Sequence, residues 1–427
     1  MNALTYFKTY ASDSFVKYSH NILFNQILEK FTVGQLTLDI IDLNYPEYNC
    51  KSRIYGDKSK SPQMKSRITI KNLYRFLFKV SFSYDVGLGE SYVFGDFDSD
   101  DLTTLLKMFI LNGECIDMNG KFKFLRKKFD KFINFFYNQT TLKNQENIQT
   151  HYNLSNDFYR LVLGEEMLYS SGIFMDKNES LSVGSMRQIR GILEMANLKK
   201  GEKVLEIGSG WGSLSIEAAK SYGCHVTGVT LSKEQRKIHL DRIEKEGLQD
   251  LIDVQLKHYR DIEGKFDKII SIEMCEHVSD KYYPEYFQTI EKALSKDGIV
   301  VLQMIAYNDQ MLDEYLSEVG FISKYIFLEG YLTSITKLLS FITKNTNLVI
   351  ESVKNIGPHY EHSLVYWNKN LLANKDKILE MGIDEQLIRL YSFYFSYCAA
   401  GFGARFLNDY QVVLSRPLNI KNLKPLP

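Results

Sequence analysis

From about residue 150 onward, short aliphatic and β-branched runs alternate with stretches of helical periodicity. The runs are VLEIG (204–208), HVTGVTL (225–231), IDVQL (252–256), FDKIISI (266–272) and GIVVLQMI (298–305), with helical patterns at 212–222, 232–247 and 281–295. Such alternation predicts right-handed βαβ units and a parallel sheet. Residues 1 to about 110 read differently. They carry period-two stretches, QLTLDI (35–40) and RITIK (67–71), then GLGESYVFGDFDSDDL (87–102), whose Gly and Asp predict turns leading to a helix N-cap. Between the two regions, KFKFLRKKFDKFINFF (121–136) sets Phe122, Leu125, Phe129, Phe132, Ile133 and Phe136 at helical spacing, and polar NQTTLKNQENIQ (138–149) reads as a linker. The expected division is a small mixed domain over 1–120, a basic amphipathic helix and linker over 121–150, and an α/β domain over 151–427.

Length and charge sharpen this picture at only a few points. A chain of 427 residues exceeds what one core usually holds, so two domains are the default. Lys+Arg and Asp+Glu number 52 each, which leaves no net charge to recruit nucleic acid. Locally, 121–136 holds six Lys and Arg against the single Asp130. It fits either a helix lying on anionic membrane or an interdomain helix with a solvated basic face. Cys50, Cys115, Cys224, Cys275 and Cys398 are scattered and form no C-x-x-C, so neither a disulfide framework nor a zinc site is expected and a reducing cytoplasm fits. The opening MNALTYFKTY has no apolar signal core, and no stretch reaches the roughly 18 uncharged apolar residues of a membrane span.

The sharpest local motif is Val204-Leu205-Glu206-Ile207-Gly208-Ser209-Gly210-Trp211-Gly212. An apolar strand ends in an acid and a glycine turn opens a helix. Gly208 and Gly210 let backbone approach a ligand, and Gly212 permits close helix packing. The third glycine arrives one residue too early for a dinucleotide fingerprint, and the tip of the next strand reads Thr230-Leu231-Ser232, with no acid for a ribose. An acid beside a snug glycine loop suits the amino group of a methionine-type cofactor; a plain strand–helix turn would read the same way. Thr230, Ser232 and Gln235 are placed to bond ribose hydroxyls, and His258-Tyr259-Arg260-Asp261 follows the third strand, where an adenine ring would sit. Glu276 and His277 follow strand 266–272, again at the carboxyl end where open α/β sheets bind ligands. Glu276 there could act as a base or hold a charged intermediate, or it could simply cap a helix.

Several ordered segments together resemble the cyclopropane-fatty-acyl-phospholipid synthases and their relatives. They are LGESYVFGDFD (88–98), HYNLSNDFYRLVLGEEMLYSS (151–171), VLEIGSGWG (204–212), VTGVTLSKEQ (226–235), YRD (259–261), SIEMCEHV (271–278), KYIFLEG (324–330), HYEHSLVYW (359–367) and YCAAGFGARFLNDYQVVLSR (397–416). The resemblance implies a Rossmann-like class I methyltransferase domain behind a smaller N-terminal domain. It also implies S-adenosylmethionine as cofactor and transfer of its one-carbon unit to a double bond in an acyl chain of a membrane phospholipid. A carbocation forms, a bound bicarbonate takes a proton and a cyclopropane ring closes. Residue by residue, Tyr169 and Ser170 match contacts at the sulfonium end. Glu206, Gly208, Gly210 and Gly212 match the glycine loop, Thr230, Ser232 and Gln235 the ribose side, and Tyr259 and Arg260 the adenine side. Around the bicarbonate, Glu276 and Tyr360 match family residues, Ile305 offers a backbone contact, and Cys398 matches a cysteine given as an active-site residue, although this chemistry has no task for a thiol nucleophile.

Three departures bear on the reaction. Ser171 stands where the family often has Cys, Gln303 where the synthases have a bicarbonate-binding His, and His258 where an acid commonly precedes the Tyr. Gln donates a hydrogen bond but carries no charge, so anion binding and ring closure are where this chain is expected to differ. The readings that follow are a cyclopropane synthase, a lipid C-methyltransferase leaving a methylene or methyl branch because the cation meets a different base, an N-methyltransferase on a small amine, and a non-catalytic cofactor-binding protein. The N-terminal domain and basic helix favour lipid. Such an enzyme would be cytoplasmic, peripheral to the inner face of the membrane and only transiently attached, and a homodimer would suit access to two lipids.

Overall fold

A computed structural model describes residues 3–57, 61, 63–113, 154–316, 320–328 and 330–420. The basic helix and its linker lie outside the described residues, as do Cys115 and His151–Asn153. The chain forms two compact units, one of Met1–Leu154, Gly320–Ile326 and Leu371–Ala404 and the other of Ser155–Val319, Phe327–Asn370 and Arg405–Pro427. Among the described residues no helix is long and apolar enough to cross a membrane.

The first unit is built on strands β1 (Gln35–Ile40), β2 (Cys50–Tyr55), β3 (Lys65–Ile70) and β4 (Phe97–Ser99), in spatial order β2-β1-β3-β4. β1 pairs antiparallel with β2 and parallel with β3, and β4 closes the edge antiparallel. The turns expected over 87–102 are only partly found. GLGESYV belongs to the helix Leu73–Val93, FDS forms β4, and Asp101 caps the helix Leu102–Leu111 through the backbone N–H of Thr104 at 2.9 Å. The glycines serve close packing here instead of chain reversal. A Cβ on Gly87 would stand 1.9 Å from the Lys79 carbonyl oxygen, and one on Gly89 would strike the rings of Phe321 and Phe393. The bend that brings Gly87 against Lys79 is at Tyr84, whose φ is 43°.

The second unit is the expected α/β sheet. β5 (Lys203–Ile207), β6 (His225–Thr230), β7 (Ile252–Leu256), β8 (Phe266–Ile272) and β9 (Leu294–Tyr307) are parallel, and β10 (Thr333–Ser334) adds to β9. β11 (Val349–Asn355) and β12 (Leu407–Ser415) complete the order β11-β12-β9-β8-β5-β6-β7, with β12 antiparallel to β9. One apolar layer holds Leu205, Ile207, Ile269, Val300 and Leu302 against Tyr286 and Phe287; the other holds Val204, Val226, Ile270 and Val301 against Ile189, Leu193 and Leu214. Strands buried on both faces explain why they read as continuous apolar runs. Strand order reverses between β5 and β8, and a doubly wound sheet opens its ligand crevice at the carboxyl ends of such a pair. Glu206 and its glycine turn end β5; the run holding Glu276 follows β8.

Candidate functional site

The glycine turn takes its shape from backbone bonds. The N–H groups of Gly208 and Ser209 both donate to the Val229 carbonyl, at 2.9 and 3.0 Å, folding the chain sharply off β5. Gly208, Gly210 and Gly212 have φ of 82°, 51° and 92°, left-handed values that favour glycine. A Cβ at Gly212 would lie 2.0 Å from the His239 ring, whereas nothing stands within 4 Å of one at Gly210. The turn is thus closed against the helix Lys233–Glu246 and open at its tip. Trp211, mostly buried, donates from Nε1 to Asn156 at 2.8 Å. Glu206 is 5% exposed, and the Ser215 hydroxyl donates to its carboxyl. Burial pushes that carboxyl up to about 8. A buried acid of this kind beside an open glycine tip fits a ligand that brings a cation, as the amino group of S-adenosylmethionine does.

Thr230, Ser232 and Gln235 bond one another at the tip of β6. The Thr230 hydroxyl bonds Gln235 Oε1 at 3.0 Å and accepts from the Ser232 N–H, while Ser232 Oγ caps the next helix through the Gln235 N–H. Tyr259 is buried beyond β7. Exposed Arg260 pairs with Glu285 at 2.7 Å and lies over the rings of Tyr259 and Tyr282, at 5.0 and 4.9 Å from their centroids. Tyr169 stacks on Trp367, centroid to centroid 5.1 Å, and Trp367 meets Tyr360 edge-on at 6.0 Å. These rings make an aromatic wall beside the crevice.

The centre of the site is a residue the motif reading passes over. Glu273 directly follows β8 and has φ of 50°, an uncommon value for a residue with a side chain. Its N–H donates to the Gln303 carbonyl at 2.8 Å. Its carboxylate accepts from Ser170 Oγ at 2.6 Å, Gln303 Nε2 at 3.1 Å, Tyr360 Oη at 2.7 Å and the backbone N–H of Ser171. Partial burial pushes Glu273 upward, and the four donors oppose that shift. Glu276 is buried and takes the Ile305 N–H on Oε1; its Oε2 has no partner among the described residues. Burial first, and the neighbouring Glu273 second, push it up to about 8.

Gln303 occupies the middle of this cluster. Its Oε1 accepts from Gln188 Nε2 at 2.8 Å and Gln411 Nε2 at 3.0 Å, and its Nε2 faces Glu273, Ser170 and Asp409. The groups matched to a bicarbonate site are therefore present, but already engaged. Ser171 N–H, Gln303 Nε2 and Tyr360 Oη hold Glu273, and the Ile305 N–H holds Glu276. With these donors already taken, the residues do not fit a further anion. Ser171 Oγ turns away to the Gly172 carbonyl at 2.9 Å. Cys398 belongs to the first unit, on the helix Glu385–Gly403, and desolvation raises its thiol, so it is no thiolate nucleophile at neutral pH.

Known proteins resemble this chain over most of its length. The profile of the mycolic acid cyclopropane synthetase family matches residues 139–412. The chain is 32% identical over 339 residues to tuberculostearic acid methyltransferase UfaA1 of Mycobacterium tuberculosis, covering 78% of this chain and 79% of that one. It is also 32% identical over 334 residues to the cyclopropane-fatty-acyl-phospholipid synthase of Escherichia coli, covering 78% and 83%. The solved structure of mycolic acid cyclopropane synthase CmaA1 complexed with SAH and CTAB matches with a TM-score of 0.58 at 26% identity, over 64% of this chain and 98% of that one.

Proposed function

Because this chain belongs to the mycolic acid cyclopropane synthetase family and is an S-adenosylmethionine-dependent methyltransferase with a class I fold, we propose that it transfers a one-carbon unit to the double bond of an unsaturated acyl chain in membrane phospholipid, with Glu273 as the base. The observation that carries this reading is that the cradle of Ser171, Gln303 and Tyr360 holds the protein's own carboxylate. Bound S-adenosylmethionine supplies an electrophilic methyl group, to which the alkene's electron pair forms the new carbon–carbon bond as the carbon–sulfur bond breaks. The chain's residues then have to manage a carbocation. Glu273, and Glu276 in its ionised form, place negative potential beside it, and the rings of Tyr169, Trp367 and Tyr360 present faces that tolerate positive charge. Glu273 is partly exposed where Glu276 is buried, so Glu273 is the carboxylate a substrate proton can reach.

Two products follow from one base. If Glu273 takes a proton from the transferred carbon while the cation lies on the neighbouring carbon, the freed electron pair closes a cyclopropane ring. If hydride first moves to that neighbour, the cation lies on the carbon bearing the new methyl, and the same proton loss leaves a methylene branch on the chain. The ring is the reading the resemblance carries. The methylene is favoured by Glu273 itself. Four hydrogen bonds hold its carboxylate against Ser170, Ser171, Gln303 and Tyr360, which limits how far it can follow the cation and gives the shift time.

The test is incubation of purified protein with labelled S-adenosylmethionine and vesicles of unsaturated phospholipid, followed by chromatography and NMR of the fatty acids. Cyclopropane or methylene protons identify the product. Glu273→Gln is expected to abolish label transfer to lipid while cofactor binding persists. Wild-type turnover in that variant would refute the base assignment, and unlabelled lipid with intact cofactor binding would refute the acceptor and point to a small amine.

A further inference from the structure

Asp409 stands on β12, opposite Ile305 of β9, with Gln411 opposite Gln303. Asp409 and Gln411 are two residues apart, so both project toward the face on which Gln303 lies. Asp409 is 0% exposed. Its Oδ2 is 2.9 Å from Gln303 Nε2, and its Oδ1 has no hydrogen-bond partner among the described residues. No substrate reaches a side chain so enclosed, so whatever Asp409 contributes passes through Gln303.

The hydrogen count shows what that contribution is. A glutamine Nε2 carries two hydrogens. Three oxygens stand within reach of it: Glu273 Oε1 at 3.1 Å, Asp409 Oδ2 at 2.9 Å and Ser170 Oγ at 2.9 Å. Ser170 spends its own hydrogen on Glu273. With Asp409 taking one Gln303 hydrogen, the other is directed at the Glu273–Ser170 pair. On the far side of the amide, Gln188 and Gln411 donate to Oε1. Turning the amide over would set Oε1 against carboxyl oxygens and Nε2 against two amide nitrogens, so its orientation is locked from both ends.

Charge is unequally shared among the three acids. Glu273 receives four donors, whereas Asp409 receives Gln303 only. Burial first, and then the acidic neighbours Glu273 and Glu276, push Asp409 well upward. With four donors on one carboxyl and one on the other, negative charge is better held on Glu273, and Asp409 favours its neutral form.

We infer that Asp409 is a positioning residue of the methyltransferase site: a neutral carboxyl that fixes the Gln303 amide and thereby aims and tunes Glu273. The inference rests on the reading of Glu273 as base. It predicts that what matters at 409 is a neutral acceptor, not a charge. Asp409→Asn retains that acceptor and should keep kcat within about twofold, with an unchanged product ratio and acid limb of the kcat profile. Asp409→Leu deletes it while keeping the same branched shape. Its kcat should fall about tenfold or more while KM for S-adenosylmethionine stays within about twofold, and the ring-to-methylene ratio should move. If the leucine variant does not fold, Asp409→Val, at home in a strand, takes its place. An infrared difference spectrum at neutral pH between wild type and Asp409→Asn should show loss of a protonated-carboxyl band, a readout independent of turnover.

Equal loss in the Asn and Leu variants, an acid limb displaced by a full unit in Asp409→Asn, loss of an ionised-carboxylate band, or wild-type behaviour in Asp409→Leu would each overturn the inference. Glu273→Gln separates the two claims. If it turns over normally, the base reading fails. If it is inactive while Asp409→Leu is unaffected, only the positioning role fails.

Discussion

Cofactor binding should be coupled to release of a proton from Glu206. This carboxyl is buried with Ser215 as its hydroxyl partner, and burial pushes it up to about 8, so near neutral pH it is mostly protonated before the cofactor arrives. A cofactor ammonium beside it is stabilised by the carboxylate and not by the acid. Binding must then draw from the ionised fraction, about one-tenth at pH 7 and about one-hundredth at pH 6. With the small loss of ammonium at pH 7 included, affinity should rise about eightfold between pH 6 and pH 7, or about 1.2 kcal/mol. The gain should level near pH 8, where Glu206 is half ionised and the cofactor's own α-amino group begins to lose its proton. Calorimetry with S-adenosylhomocysteine, in buffers of different ionisation enthalpy, reads both the affinity and the proton count. About one proton should leave per cofactor bound near pH 6.5, and Glu206→Gln should abolish both the release and the slope. A pH-independent wild type would refute the reasoning. A slope that survives in Glu206→Gln would move the titration elsewhere, with Glu276 the first candidate because it too is pushed to about 8.

Other outcomes follow from the same geometry. Glu276→Gln should lower turnover by about 100-fold or more while cofactor affinity changes by less than about threefold, because Glu276 serves the cation and not the cofactor loop; steady-state kinetics beside calorimetry decides it. His239 is 0% exposed, both its ring nitrogens are without hydrogen-bond partners among the described residues, and burial drops it from 6.5 to about 4. The unfolded chain therefore binds the proton first, and stability is lost as pH falls from 6.5 toward 4. Urea titrations should show wild type losing about 2 kcal/mol more than His239→Leu between about pH 7.5 and about pH 5; an identical loss in both would refute it. The segment 121–136 should hold the protein on anionic vesicles in a salt-sensitive way, and flotation indifferent to lipid charge and to salt would count against membrane docking through it.

The sheet was legible because each of its parallel strands carries its own evidence. β5 to β9 are apolar runs of strand length between helical patterns, and the predicted and observed spans agree to within a few residues. The glycine turn was legible for the same reason, since an acid at a strand end and three glycines lie within seven residues of one another. Gly87 and Gly89 misled because glycine marks both a turn and a close approach, and the partner that decides between them, Lys79 in one case and Phe321 in the other, lies elsewhere in the chain.

The site's centre was hidden in the same way. Gln303 was visible as a departure, but its consequence depends on what it faces. Glu273 gave a local signal, an acid immediately after strand 266–272, which is the argument already applied to Glu206; Glu276, three residues on, drew the reading instead. Asp409 and Gln411 gave none, because a β12 residue becomes part of the site only through its antiparallel register with β9, a pairing across about a hundred residues that no local pattern specifies. Taken singly, a Gln in place of a basic ligand looks like a weakened anion site. Opposite Glu273 it is the complementary half of a different one. An imidazolium would pair with a carboxylate built into the chain and lower its basicity, whereas a neutral amide holds that carboxylate in place and leaves it able to take a proton. If Glu273 is the base, the neutral amide at 303 and the acid at 273 work as one unit, with a base that is covalently part of the fold.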